Sequence, residues 1–284
     1  MRRAVLALLL AVAGCTSVFF QPHRIQVHTP EQLGLRSEVA HLRAADGVAL
    51  YGWYLPARAN AAGTVLFLHG NAENISTHIA SVAWMPAQGF NVFLIDYRGY
   101  GASEGTASLA GAQLDIDAAM QWLLARKDID AQRIAIFGQS LGGALAIYNV
   151  AHSPYREHVR ALVTDSAFSD YRSIVSEKLA GFWLTWPFQW LPRLTVDDAY
   201  SPLAAVAAVS PIPLLVIHGG RDAIVPVEHA RRLFDAARQP KELWIEPQAG
   251  HIQSLRDEAL RARFIDYLRS AFAAAPDAAR PPAR

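Results

Sequence analysis

The stretch from Arg133 to Ile147 (RIAIFGQSLGGALAI) constrains this chain more than any other. Ile134 to Phe137 is an apolar run with β-branched residues and reads as a buried strand. Gly138-Gln139-Ser140-Leu141-Gly142 follows as G-x-S-x-G, and a small-residue helix begins at Gly143. A strand passing straight into a helix through this sequence forms a nucleophile elbow. The residues flanking the serine must lack bulk, and the strained backbone lifts its hydroxyl above the sheet edge, at a helix N-terminus. Ser140 is therefore the candidate nucleophile. Gly101-Ala102-Ser103-Glu104-Gly105 matches the same pattern, but it follows the polar loop Tyr97-Arg98-Gly99-Tyr100 and no helix starts after it. Ser103 is read as an ordinary loop serine.

Around this element, strand-like runs alternate with helical ones, which implies parallel βαβ units with right-handed crossovers. Strands are expected at Thr64 to Leu68, Asn91 to Ile95, Arg133 to Phe137, Arg160 to Thr164, Leu214 to Ile217 and Glu242 to Ile245. Helices are expected near Thr77 to Gln88, Ser108 to Lys127, Leu141 to His152, Val227 to Arg238 and Arg256 to Ala274. In the second helix Leu114, Ala118, Trp122 and Leu123 share a face, while Asp115, Gln121 and Arg126 are expected to meet water. An antiparallel hairpin precedes the alternation, with Asp46-Gly47 turning between Glu38 to Ala44 and Val48 to Leu55.

The stretch 166–210 is too long for an ordinary connection. It carries Phe182-Trp183-Leu184-Thr185-Trp186-Pro187-Phe188-Gln189-Trp190-Leu191, with three of the seven tryptophans. Trp183, Trp186 and Trp190 are expected to line a substrate pocket or lid, to set substrate size and to face a membrane. The competing expectation is an insertion whose rings simply pack on the domain.

The N-terminus points to export. Met1-Arg2-Arg3 precedes the short apolar run Ala4 to Ala13, which ends in Val12-Ala13-Gly14-Cys15. Small residues directly before a cysteine resemble a bacterial lipobox, so residues 1–14 are expected to be a signal peptide and Cys15 the lipidated mature N-terminus. A plain secretory signal or an apolar anchor helix is the alternative. Cys15 is the only cysteine, so no intramolecular disulfide can form. By lipoprotein sorting rules Thr16 leans toward the outer membrane, facing the periplasm, in a Gram-negative cell. Residues 15–37 read as a tether that need not fold, 38–274 as the domain and 275–284 as a flexible tail. The formal charge is +1; losing Arg2 and Arg3 leaves 24 basic against 25 acidic residues, about −1, with no electrostatic footprint for nucleic acid.

A serine needs a base to take its proton and an acceptor to orient that base. Asp222 follows the strand Leu214 to Ile217, and His251 follows Glu242 to Ile245. Both would emerge at the carboxyl edge of the sheet beside Ser140. Asp165, which also ends a strand, is the competing acid; His218, His152, His158 and His229 fit the base less well. Oxyanion donors are expected from the N–H of Leu141, after the nucleophile, and of Asn71 in His69-Gly70-Asn71-Ala72, where His69 would brace the loop.

Taken in order, His69-Gly70-Asn71-Ala72, Asp96 to Gly101 with Ser103 and Gly105, Gly138 to Gly143, His218-Gly219 with Asp222, and Gly250-His251 resemble the α/β-hydrolase superfamily. The chain is similar to its Bem46-like and serine-aminopeptidase-like (S33) hydrolases over about Leu42 to Ser270. The resemblance implies an α/β-hydrolase fold, a mostly parallel sheet with helices on both faces and a lid-like insertion. It also implies Ser140, Asp222 and His251 as a triad, with Leu141 and Asn71 at the oxyanion hole. The expected activity is hydrolysis of acyl esters or thioesters by a membrane-anchored serine hydrolase, falling as the histidine becomes protonated. An aminopeptidase or amidase on the same triad, or a non-catalytic lipoprotein binding lipid or a partner, are the alternatives. The expected partners are a small acyl substrate or short peptide and the membrane, without nucleic acid. No metal or cofactor is expected, since no ligand cluster or phosphate loop stands in the sequence.

Overall fold

A computed structural model describes residues 19–274. Eight strands form one sheet: β1 (Glu38–Arg43), β2 (Ala49–Leu55), β3 (Gly63–Leu68), β4 (Phe90–Asp96), β5 (Ile134–Gln139), β6 (Val159–Asp165), β7 (Leu214–Gly219) and β8 (Lys241–Glu246). Their order is β1-β2-β4-β3-β5-β6-β7-β8. β1 and β2 form the expected hairpin and β2 runs antiparallel to β4, while every pairing from β4 to β8 is parallel. The helices are α1 (Ile75–His78), α2 (Leu109–Leu124), α3 (Leu141–His152), α4 (Tyr171–Ala180), α5 (Pro192–Thr195), α6 (Pro202–Ala205), α7 (Glu228–Ala236) and α8 (Glu258–Ala273).

Alternation along the strands sends side chains to two separate cores, which is why the central strands read as continuous apolar runs. Leu66, Leu68, Ile134, Ile136, Leu162 and Val216 meet α2, α3 and α7 on one face. Val65, Phe67, Ala135, Phe137, Val163 and Ile217 meet α8 on the other, with Phe264, Leu268 and Phe272 packed against them. Covering both faces lets the carboxyl ends of β5, β7 and β8 open together at one edge.

Three expectations are corrected. The helix expected near Thr77 to Gln88 is α1 followed by two 3₁₀ turns, Ile79–Ser81 and Met85–Gln88. Pro86 has no N–H to continue a helix and its ring crowds the preceding turn. Asp115 on α2 is buried, where it binds Arg98, instead of facing water. The segment that need not fold is packed on the domain from Phe19 onward. Gly101 N–H donates to His23 O (3.0 Å), the Asn74 side chain donates to His23 O and Ile25 O (both 2.9 Å), and Val27 N–H donates to Ser76 Oγ (2.8 Å). Side chains and a backbone N–H of the domain satisfy this strap's backbone, an arrangement without periodicity in sequence. Among the described residues no helix is long and apolar enough to cross a membrane. Residues 1–18, with the expected signal peptide and Cys15, and the tail 275–284 lie outside the described residues.

Candidate active site

Ser140 stands between β5 and α3 with φ 51° and ψ −116°, a conformation that costs a non-glycine residue energy and is held only by its surroundings. Those surroundings are close-packed. A Cβ on Gly142 would fall on the Leu68 carbonyl oxygen, and one on Gly138 would fall on the Gly142 backbone, so neither position admits a side chain. The Ser140 N–H donates to Asp165 O at 2.9 Å, tying the elbow to the end of β6.

Asp222 follows β7, and its side chain is fully buried. One carboxylate oxygen accepts the N–H groups of Ile224 and Val225 at 2.8 Å each; the other accepts from His251 Nδ1 at 2.7 Å. Burial alone would raise this carboxyl, but the His251 hydrogen bond and the backbone donors outweigh it and hold it below the usual carboxylate range. Because Nδ1 carries the proton toward Asp222, Nε2 of His251 is left as the acceptor, the tautomer a general base requires. Ser140 and His251 line one cavity of about 510 Å³. No hydrogen bond joins them in this structure, a separation common before substrate closes the geometry.

The competing residues have other tasks. Asp165 is fully buried and accepts from Gln139 Nε2 (3.1 Å), Ser254 Oγ (3.3 Å) and Ser166 Oγ (3.4 Å), not from His251; burial pushes its carboxyl up to about 6. His218 Nε2 donates to Val225 O at 2.8 Å and braces the loop that holds Asp222. His69 Nδ1 donates to Gly70 O at 2.7 Å, and burial lowers its imidazole to about 3, so it stays neutral as a loop brace. His229 Nε2 donates to Glu177 (2.8 Å), while its Nδ1 accepts the Ser169 N–H (3.0 Å), a buried tie between α7 and the insertion. Ser103 Oγ donates to Asp96 O and accepts from Tyr51 N–H, both roles of a structural serine.

Leu141 and Asn71 also line the cavity. Leu141 is the first residue of α3, where an N–H has no acceptor in its own helix. The Asn71 side chain is fixed from two sides: its Oδ1 accepts from Gln21 N–H and from Tyr100 Oη, each at 2.8 Å. Trp183, Trp186 and Trp190 do not line the cavity, correcting the expectation that they form the substrate pocket. They are 79, 58 and 53% exposed, which equally rules out a packed core. The apolar wall comes instead from Phe168, Ile174, Val175 and Leu179, and from Phe19 of the strap, whose ring meets Tyr171 edge-on at 4.8 Å. The only sequence signal for Phe19 is an aromatic pair, Phe19-Phe20, within a polar stretch. Among the described residues no group of three or more His, Cys, Asp or Glu side chains is arranged to hold a metal.

The strand order, the strained serine between strand and helix, and the acid and histidine on the two loops that follow define an α/β-hydrolase. More narrowly, the chain belongs to the prolyl oligopeptidase family, whose sequence profile matches residues 76–274. It is 35% identical over 281 residues to the YfhR protein of Escherichia coli K12, covering 94% of each chain. It is also 35% identical over 238 residues to the α/β-hydrolase domain-containing protein WAV2 of Arabidopsis thaliana, covering 78% of this chain and 74% of that one. In fold it is similar to the Pyrococcus furiosus esterase Pf2001, with a TM-score of 0.72 at 23% identity, covering 89% of this chain and 99% of the other. The protein is thus a hydrolase of the α/β-hydrolase type.

Proposed function

We propose that this protein is a serine hydrolase that cleaves acyl esters or thioesters through an acyl-enzyme, held at a membrane by a lipidated Cys15. The observation that carries the reading is the Asp222–His251 pair at 2.7 Å, opening on the cavity that Ser140 also lines. Ser140 Oγ attacks the acyl carbonyl carbon while its proton passes to His251 Nε2. The tetrahedral oxyanion takes hydrogen bonds from the Leu141 and Asn71 N–H groups, and its collapse expels the leaving group, which takes the proton from His251. Water, deprotonated by the same imidazole, then releases the acid and restores Ser140. The largely apolar wall suits an acyl chain.

A second reading, an aminopeptidase or amidase, is favoured by the family's name and uses the same three side chains. Esters remain the better substrate because their leaving group needs less protonation than an amine. p-Nitrophenyl esters of graded chain length, assayed beside aminoacyl amides, separate the two; cleavage of the amides alone moves the reading to a peptidase. A fluorophosphonate probe is expected to label the wild type and not Ser140→Ala. Failure to label the wild type would favour a non-catalytic lipoprotein that binds a lipid or a partner. For the anchor, and with it the outer-membrane, periplasm-facing location, the measurement is maturation: Cys15→Ser is expected to stop cleavage before residue 15 and abolish detergent-phase partitioning.

A further inference from the structure

The cavity leaves one conspicuous surface unexplained. Between Lys178 and Arg193 the chain has no charged residue, and within that stretch six large apolar side chains point outward. Phe182, Trp183, Leu184, Trp186, Phe188 and Trp190 are each more than half exposed. Scattered exposed leucines are ordinary, but a contiguous run of aromatic rings left in water calls for a covering phase.

Its position in the fold indicates what covers it. The run leaves directly from the C-terminal end of α4, whose Ile174, Val175 and Leu179 line the Ser140 cavity. Phe19 packs against Tyr171 at the start of the same helix and lines the same cavity. The apolar run Ala4 to Ala13 and Cys15 therefore connect to the cavity through very little chain. The four residues from Cys15 to Phe19 reach at most about 14 Å. Any anchor at this end, acyl chains on Cys15 or the apolar run itself, brings the bilayer surface near the cavity that Phe19 lines, and the C-terminal half of α4, at Lys178 and Leu179, carries the wall of the same cavity on to the aromatic run. Tryptophan suits that layer, with a broad apolar body and one N–H for the wet side.

We propose that Phe182, Trp183, Leu184, Trp186, Phe188 and Trp190 form a docking face that lies in the interfacial layer of a lipid bilayer, so that the Ser140 cavity receives acyl chains from the membrane. The substrate class is then a membrane-borne acyl ester, an extension that rests on the hydrolase reading above. The docking face itself rests on the N-terminal anchor and not on the chemistry of the site.

The test uses the full chain with its anchor, reconstituted in phosphatidylcholine–phosphatidylglycerol vesicles whose acyl chains carry bromine. Bromolipid is expected to quench the tryptophan emission of the wild type. Most of that quenching should disappear in the triple variant Trp183→Phe/Trp186→Phe/Trp190→Phe, which retains the four other tryptophans. Absent quenching in the wild type, or quenching unchanged in the variant, overturns the docking face. So does a dimer in solution that the variant dissociates, since a second copy would then be what covers the face. A second variant, Trp183→Asp/Trp190→Asp, addresses the substrate: hydrolysis of a long-chain ester held in vesicles should fall by roughly tenfold while a dissolved short-chain ester is cleaved as before. Equal loss on both, with a lowered Tm, would make the rings structural and refute the membrane-borne substrate. Should no ester be cleaved at all, the ester reading fails while the quenching result still decides the docking face.

Discussion

His251 has one nitrogen committed to Asp222 and the other open to the cavity, so the acid governs which tautomer faces Ser140. Asp222→Asn preserves the shape but presents an amide that can donate to Nδ1, turning the base away from its task. We expect kcat to fall on the order of 10⁴-fold, with the fold intact by circular dichroism. Asp165 poses the opposite problem. It is fully buried and its carboxyl is raised to about 6, so between the ordinary carboxylate value of 3.8 and about 6 the folded protein holds a proton that the unfolded chain has lost. Stability from this group is greatest at the acid end of that window and declines as pH rises through about 6. Denaturant titrations at pH 5 and pH 8 should therefore find Asp165→Asn gaining on the wild type at the higher pH, because the amide keeps the contacts to Gln139 and Ser254 without a buried charge. A gap independent of pH would show that Asp165 is charged throughout.

At the scale of elements, two loops and a strap build the chemistry that the sheet edge only supports. Asn71 is held by Tyr100 from the loop after β4 and by the backbone of Gln21 in the strap, so the loop proposed to supply an oxyanion donor is locked by segments far apart in sequence. Tyr100→Phe removes one donor and leaves the ring. We expect kcat to drop by about tenfold with KM little changed, because a loosened donor matters most when charge develops on the oxyanion. An equal effect on KM alone would place Asn71 in substrate binding instead. The elbow was legible in sequence because its requirements are local: a strand, glycines where no Cβ fits, and a helix at once afterward. The strap was not, because its hydrogen bonds run from irregular backbone to side chains about fifty to eighty residues away.

Over the whole molecule, a buried ion cluster ties the hairpin turn to the body. Arg98 donates to Asp115 on α2, whose side chain is fully buried, and to Asp46 at the tip of the β1–β2 turn. Removing the carboxylate in Asp115→Ala leaves the guanidinium without its inner partner, and we expect a loss of about 3 to 5 kcal/mol in denaturant unfolding. Asp46→Ala, at the wetter end, should cost clearly less. Asp115 also illustrates what one-dimensional reading misses: helical spacing put it among residues bound for water, and an arginine from another loop drew it inside. The sequence by itself determined the α/β alternation, the hairpin, the elbow and the succession of serine, acid and histidine, because each depends on neighbours along the chain or on a strand end that periodicity reveals. Only the tertiary structure decided that His251 meets Asp222 and not Asp165, that Phe19 walls the cavity, and that the tryptophans stand outside it. Those outcomes depend on the order of strands in the sheet and on which surfaces meet across it, distances in space that spacing along the chain does not encode.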